Sequence, residues 1–144
     1  MTTHLTNNFS LEELTVTDHR TLDNTSNFQE RANLQRLAEF LEKVKTLLNG
    51  KPIMINSAFR SKAVNDACGS KDSSQHRVGC AADIRVPGMT PDEVVKAIIA
   101  SDLPYDQVIR EFDRWTHVSI PNDLEHKPRH MSLIIDKQGT RVYS

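Results

Sequence analysis

His76 and Asp83 stand seven residues apart in Ser74-Gln75-His76-Arg77-Val78-Gly79-Cys80-Ala81-Ala82-Asp83, a segment that otherwise reads as ordered and apolar. In one straight strand an odd separation places two side chains on opposite faces of a sheet. The chain must therefore bend between them if both are to serve one site. Gly79 can supply that bend because it adopts backbone angles closed to other residues, and Ala81 and Ala82 leave room for close packing. A second segment, Trp115-Thr116-His117-Val118-Ser119, alternates so that Trp115, His117 and Ser119 share one face while Val118 and Ile120 point into a core.

Two imidazoles and a carboxylate are the ligand set of a catalytic zinc site, which takes three protein ligands and leaves a position for water; structural zinc takes four, often cysteines. A histidine beside an aspartate is also what an ordinary surface pair looks like. What favours ligation is the flanking β-prone backbone, where an unpaired imidazole or carboxylate is costly. Spacing alone leaves both readings open. Cys68 and Cys80 flank the motif, but two thiols make no disulfide framework, and both are read as reduced.

Along the rest of the chain, Ser10-Leu11-Glu12-Glu13 has the form of a capping box that opens a short helix. Leu34, Leu37, Leu41, Val44 and Leu48 recur at three- and four-residue steps, which predicts a long helix from Phe28 to Asn49, ended by Asn49-Gly50. Pro52 to Ser57 reads as the first core strand and delivers Arg60 to its end. A short helix is expected over Lys62 to Cys68, and a strand over Ala81 to Val86. Thr90-Pro91-Asp92-Glu93 opens a further helix with a hydroxyl cap, proline at the first position and acids in the first turn. Gln107 to Phe112 and Trp115 to Ile120 form a hairpin across Asp113-Arg114, and Ser132 to Ile135 with Thr140 to Tyr143 form a second. Helices come early and strands cluster late, so the expected class is α+β around a central, mainly antiparallel sheet with flanking helices.

At 144 residues the chain is the size of one domain, 1–144, able to bury a core without disulfides. A formal net charge of -1 gives no basic excess for nucleic acid or an anionic membrane. No apolar run is long enough to span a bilayer, and residues 1–8 lack the basic and apolar regions of a secretory signal. The expectation is a monomer made in the cytoplasm. His126 and His130 have helical ligand spacing, but Lys127-Pro128 between them argues for an exposed loop, and His4 and His19 lie in polar segments.

Ser57-Ala58-Phe59-Arg60-Ser61, Asn65, Ser74-Gln75-His76 with Gly79, Ala81 and Asp83, and Trp115-Thr116-His117-Val118-Ser119 together resemble the zinc DD-peptidase family. That family includes D-alanyl-D-alanine carboxypeptidases and the L-alanyl-D-glutamate endopeptidases of phage endolysins, and the resemblance runs from about Phe9 to Ile120. It implies the α+β sheet that these peptidases share with the Hedgehog signalling domain. It also implies one zinc ion held by His76, Asp83 and His117. Arg60 matches the arginine that binds a substrate carboxylate or stabilises the oxyanion, tasks suited to a permanently charged planar donor.

Some relatives carry an acid three positions before the last histidine ligand, where this chain has Arg114. Glu111 resembles instead the glutamate that phage-type members carry on the strand before Trp-x-His, so Glu111 is the favoured general base and Asp113 the second candidate. Ser74 and Trp115 are expected beside the substrate, with Ser74 and Gln75 also ordering His76 through hydrogen bonds. The resemblance thus implies a zinc metallopeptidase cutting peptidoglycan stem peptides, an endolysin acting on the bacterial cell wall. The competing readings are a zinc-binding recognition module without turnover and a D-Ala-D-Ala dipeptidase or carboxypeptidase.

Overall fold

The computed structural model describes residues 2–143. Four α-helices, α1 (Leu11–Leu14), α2 (Phe28–Leu47), α3 (Lys62–Ala67) and α4 (Pro91–Ile99), accompany six strands, β1 (Met54–Ser57), β2 (Ala81–Arg85), β3 (Gln107–Glu111), β4 (Trp115–Ser119), β5 (Met131–Asp136) and β6 (Gly139–Val142). The strands form one sheet in the order β1-β2-β4-β3-β5-β6. Every neighbouring pair is antiparallel except β3 and β5, which run parallel. The architecture is α+β, as the clustering of late strands predicts.

Local chemistry explains the helix boundaries. Ser10, Asn27 and Thr90 each accept from the backbone N–H three residues on, and Glu13, Glu30 and Glu93 reach back to complete capping boxes. Replacing such a cap by alanine costs about 1 kcal/mol. Helix α2 stops at Leu47 because Asn49 and Gly50 both take positive φ, and no further helical turn is compatible with that. The predicted pattern holds in its interior: Leu34, Leu37, Leu41 and Val44 are fully buried.

These residues share one core with Val94, Val95 and Ile98 of α4 and with Ala82, Ile84, Val108 and Val118 of the sheet. One face of the sheet is therefore covered by apolar helix surface. The alternate residues face the other way, and the chemistry lies there. Both cysteines are free. Burial pushes the Cys80 thiol up to about 11, while Cys68 is exposed. No helix among the described residues is long and apolar enough to cross a membrane.

Candidate metal centre

A single cross-strand row carries the site. Ser57 on β1 faces Asp83 on β2, Asp83 faces His117 on β4, and His117 faces Ile109 on β3. Residues directly opposite one another project from the same face. Two positions along on that face, Trp115 and Glu111 are also cross-strand partners. Alternation thus fixes Asp83, His117, Trp115 and Glu111 on the surface away from the helices.

His76 is brought to this row by the bend the sequence requires. It sits in a 3-10 turn, Gln75–Val78, whose end residue Gly79 has φ 83°. A Cβ at position 79 would lie 3.0 Å from the Glu30 carbonyl oxygen and 3.1 Å from Leu34 Cγ on α2. Glycine is thus needed there both for the backbone angle and for the close approach to the helix. Helix α2 also grips the turn from either side, with Asn33 Nδ2 donating to the Val78 carbonyl at 2.9 Å and Arg77 pairing with Glu30 at 2.7 Å.

The imidazole of His76 is buried, and its Nδ1 lies 2.7 Å from the Ala58 carbonyl oxygen. That contact requires a proton on Nδ1 and leaves the Nε2 lone pair free to bind a metal. Nε2 points to Asp83 Oδ1 at 3.3 Å, and His117 Nδ1 reaches the same oxygen at 3.0 Å. All three residues are buried, and their ligand atoms lie within 4.8 Å of one another. Two nitrogens converging on one carboxylate oxygen, out of water, form a donor set of the kind that holds zinc.

Burial opposes charge at both ends of this cluster. It drives the His76 pKa down against the pull of Asp83, whereas for Asp83 the opposing burial is overcome by His76 and His117, which hold the carboxyl well below the usual range. The ionised carboxylate and neutral imidazole are the protonation states that ligate metal.

Arg60 arrives through an irregularity in β1. The register shifts between Ile55 and Ser57, a bulge that re-aims the chain end. Its N–H donates to the His76 carbonyl at 2.9 Å, Nε donates to Ser57 Oγ at 3.1 Å, and Nη2 lies 3.4 Å from Asp83 Oδ2. Nη1 makes no hydrogen bond among the described residues.

Glu111 lies with the cluster: its Oε1 is 3.9 Å from His117 Nδ1. Burial first, and then the neighbouring Asp83 charge, raise its pKa. Asp113 is placed differently. Its Oδ1 takes a 2.9 Å contact from Arg110 Nε, and Arg110 also reaches Asp92 of α4 at 3.0 Å, on the helix-covered face. Asp113 is not part of the cluster of His76, Asp83 and His117, because Arg110 holds it at the tip of the β3–β4 turn. Ser74 Oγ accepts from the His76 N–H at 3.2 Å and so caps the 3-10 turn. Trp115 is half-buried beside Glu111, and its indole N–H has no partner among the described residues.

Two features escaped sequence reasoning. Asp106 is buried where Gln75 donates to it at 3.0 Å and Arg129 at 2.6 Å, tying the 121–130 segment to the turn that carries His76. An acid just before a β-prone run gives no signal of that role. The β3–β4 turn is the second: Phe112 and Asp113 take φ 54° and 51°, and the Arg114 N–H closes the turn on the Glu111 carbonyl at 3.0 Å. Such turns favour asparagine and glycine, and a non-glycine residue there costs about 1–3 kcal/mol.

Residues 7–119 match the family model described as peptidase M15. No curated protein matches the chain.

Proposed function

The chain belongs to the peptidase M15 family, and from that premise we propose that it is a phage or prophage endolysin that hydrolyses an amide bond in the stem peptides of peptidoglycan. Peptidases of this family are zinc-dependent, and the buried His76, Asp83 and His117 fit one such ion. When bound, zinc supplies Lewis acidity that polarises a carbonyl and makes water nucleophilic at neutral pH.

The protein's own groups supply the rest. Asp83 and the two imidazoles would hold the ion, with His76 oriented by the Ala58 carbonyl. Glu111 Oε1 accepts the proton of the attacking water and returns it to the leaving amine; its raised pKa brings it closer to the value at which a base works near neutrality. Arg60 Nη1 meets the negative charge that develops on the scissile carbonyl, or an anionic group of the substrate.

The observation that carries this reading is Glu111, a half-buried acid 3.9 Å from Nδ1 of His117, a member of the group able to hold the ion. A module that only binds zinc has no use for it. Metal analysis of the purified protein, followed by mass spectrometry of muropeptides after incubation, tests the proposal. Bound zinc and a fragment differing by one hydrolysed amide are expected. Zinc without any cleaved muropeptide would favour the recognition module, and release of free D-alanine alone would point to a carboxypeptidase.

A further inference from the structure

Beside Glu111 and Trp115 the sheet ends in two hairpin tips that lie next to each other, because β3 and β5 run parallel and the Phe112 N–H donates to the Ile135 carbonyl at 2.8 Å. Between the tips is an open cleft of about 580 Å³, within the size range of small-molecule sites. Its apolar floor is made by Phe112 and Trp115, with ring centroids 5.9 Å apart. Phe112 is 44% exposed and is held there by positive φ in a turn that would be easier to build with glycine or asparagine. Backbone strain that keeps an aromatic ring in solvent beside a reacting centre is a reason to look for a ligand.

The charges around the cleft are not balanced. Asp113 is taken by Arg110 at 2.9 Å, and Asp136 is taken by Arg141 at 2.8 Å. Arg114 and Lys137, one on each tip, line the same cleft and have no acidic partner among the described residues. Two unmatched cations above an aromatic floor select an anion attached to an apolar or peptide body.

We propose that this cleft is a substrate subsite that binds the free glutamyl α-carboxylate of the stem peptide, with Arg114 and Lys137 as its cationic rim and Phe112 and Trp115 as its floor. The proposal rests on the stem-peptide reading above. It is separate from Arg60, which lies at the other end of the metal row against Asp83.

Trp115 is the single tryptophan of the chain, so its fluorescence reports occupancy directly. The probes are the tetrapeptide L-Ala-γ-D-Glu-L-Lys-D-Ala and the same peptide with the glutamyl α-carboxylate converted to an amide, titrated into the zinc-loaded Glu111→Gln protein to prevent turnover. Tighter binding of the acidic peptide is expected, by about fivefold for two exposed cations, shrinking as salt is raised. In the same protein carrying Arg114→Ala and Lys137→Ala, the ratio of the two affinities should fall to near one. Both substitutions are on exposed turn tips, and an unchanged circular dichroism spectrum checks that the fold persists.

Equal affinity in the parent protein, a preference that survives loss of both cations, or no response to either peptide would overturn the proposal. Muropeptide hydrolysis by the wild-type chain separates the two claims. Cleavage with no carboxylate preference removes the subsite alone; a carboxylate preference with no cleavage of any muropeptide removes the endolysin reading alone.

Discussion

Asp83 and His117 face each other directly across β2 and β4, and the 3.0 Å between Oδ1 and Nδ1 is fixed by strand register rather than by side-chain reach. A slip of one residue in that pairing would turn one of them into the helix-covered core. The grouping of residues able to bind a metal therefore depends on the same pairing that holds the sheet together.

Glu111→Gln keeps the size of the side chain and removes its basicity. Turnover should fall by about 10²–10⁴-fold, with zinc content and thermal midpoint close to wild type. Paired activity and metal measurements decide it, and a rate near wild type would exclude Glu111 as the base.

Arg60→Ala removes the guanidinium next to Asp83. A loss of about 10²-fold in kcat/KM is expected, with zinc retained. Restoration of most of the activity in Arg60→Lys would argue against a requirement for the planar fork of donors.

Chelation should abolish activity and lower stability together, because an ion that binds only the folded chain stabilises it by about 2.7 kcal/mol when present at a hundred times its Kd. Calorimetry with and without added zinc measures this. A thermal midpoint indifferent to zinc would contradict ligation by the buried triad.

Gly79→Ala places a Cβ against the Glu30 carbonyl oxygen at 3.0 Å and forces alanine into φ 83°. Destabilisation of about 1–3 kcal/mol is expected in urea unfolding, accompanied by weaker zinc binding, since His76 is carried on the same turn. Unaltered stability and affinity would show that the turn can relax away from α2.

Asp106→Asn tests the tie between Arg129 and Gln75. Burial alone would raise the Asp106 pKa, but hydrogen bonds from Arg129 and Gln75 with the Arg129 charge hold it below its ordinary 3.8. A carboxylate lowered by folding stabilises above its unfolded value, and that contribution is lost as pH falls through the lower folded value. The variant should be less stable by about 1.5 kcal/mol at neutral pH, the low end because Arg129 is half in solvent. Urea midpoints taken down to pH 3 should show the gap narrowing below about pH 4; a gap constant with pH would refute the linkage.

Several parts of this molecule could be read from residues in order along the chain, because the forces that set them are local. The capping box at Ser10, the hydroxyl cap at Thr90 and the apolar stripe of α2 are of this kind. So is the bend at Gly79, which follows from the parity of two positions. The sequence favours Glu111 over Asp113 only through a resemblance; the alternation of β3 and the grip of Arg110, which place Glu111 3.9 Å from His117 and tie Asp113 to Arg110, depend on pairing that neither position signals alone. Parallel pairing of β3 with β5 joins strands far apart in the chain, and nothing in either β-prone run specifies its neighbour. Nor does Phe112-Asp113 carry the glycine or asparagine by which a tight turn of positive φ is recognised.

That parallel pairing also has an evolutionary consequence. The β5–β6 hairpin, Met131 to Val142, lies beyond the stretch matched by the family model, yet it is stitched along the whole length of the strand that presents Glu111. Its tip can drift in charge and shape while His76, Asp83 and His117 stay untouched. The family-matched stretch carries the buried His76, Asp83 and His117 together with Glu111, and the hairpin beyond it carries none of them, so the two stretches are free to change at different rates.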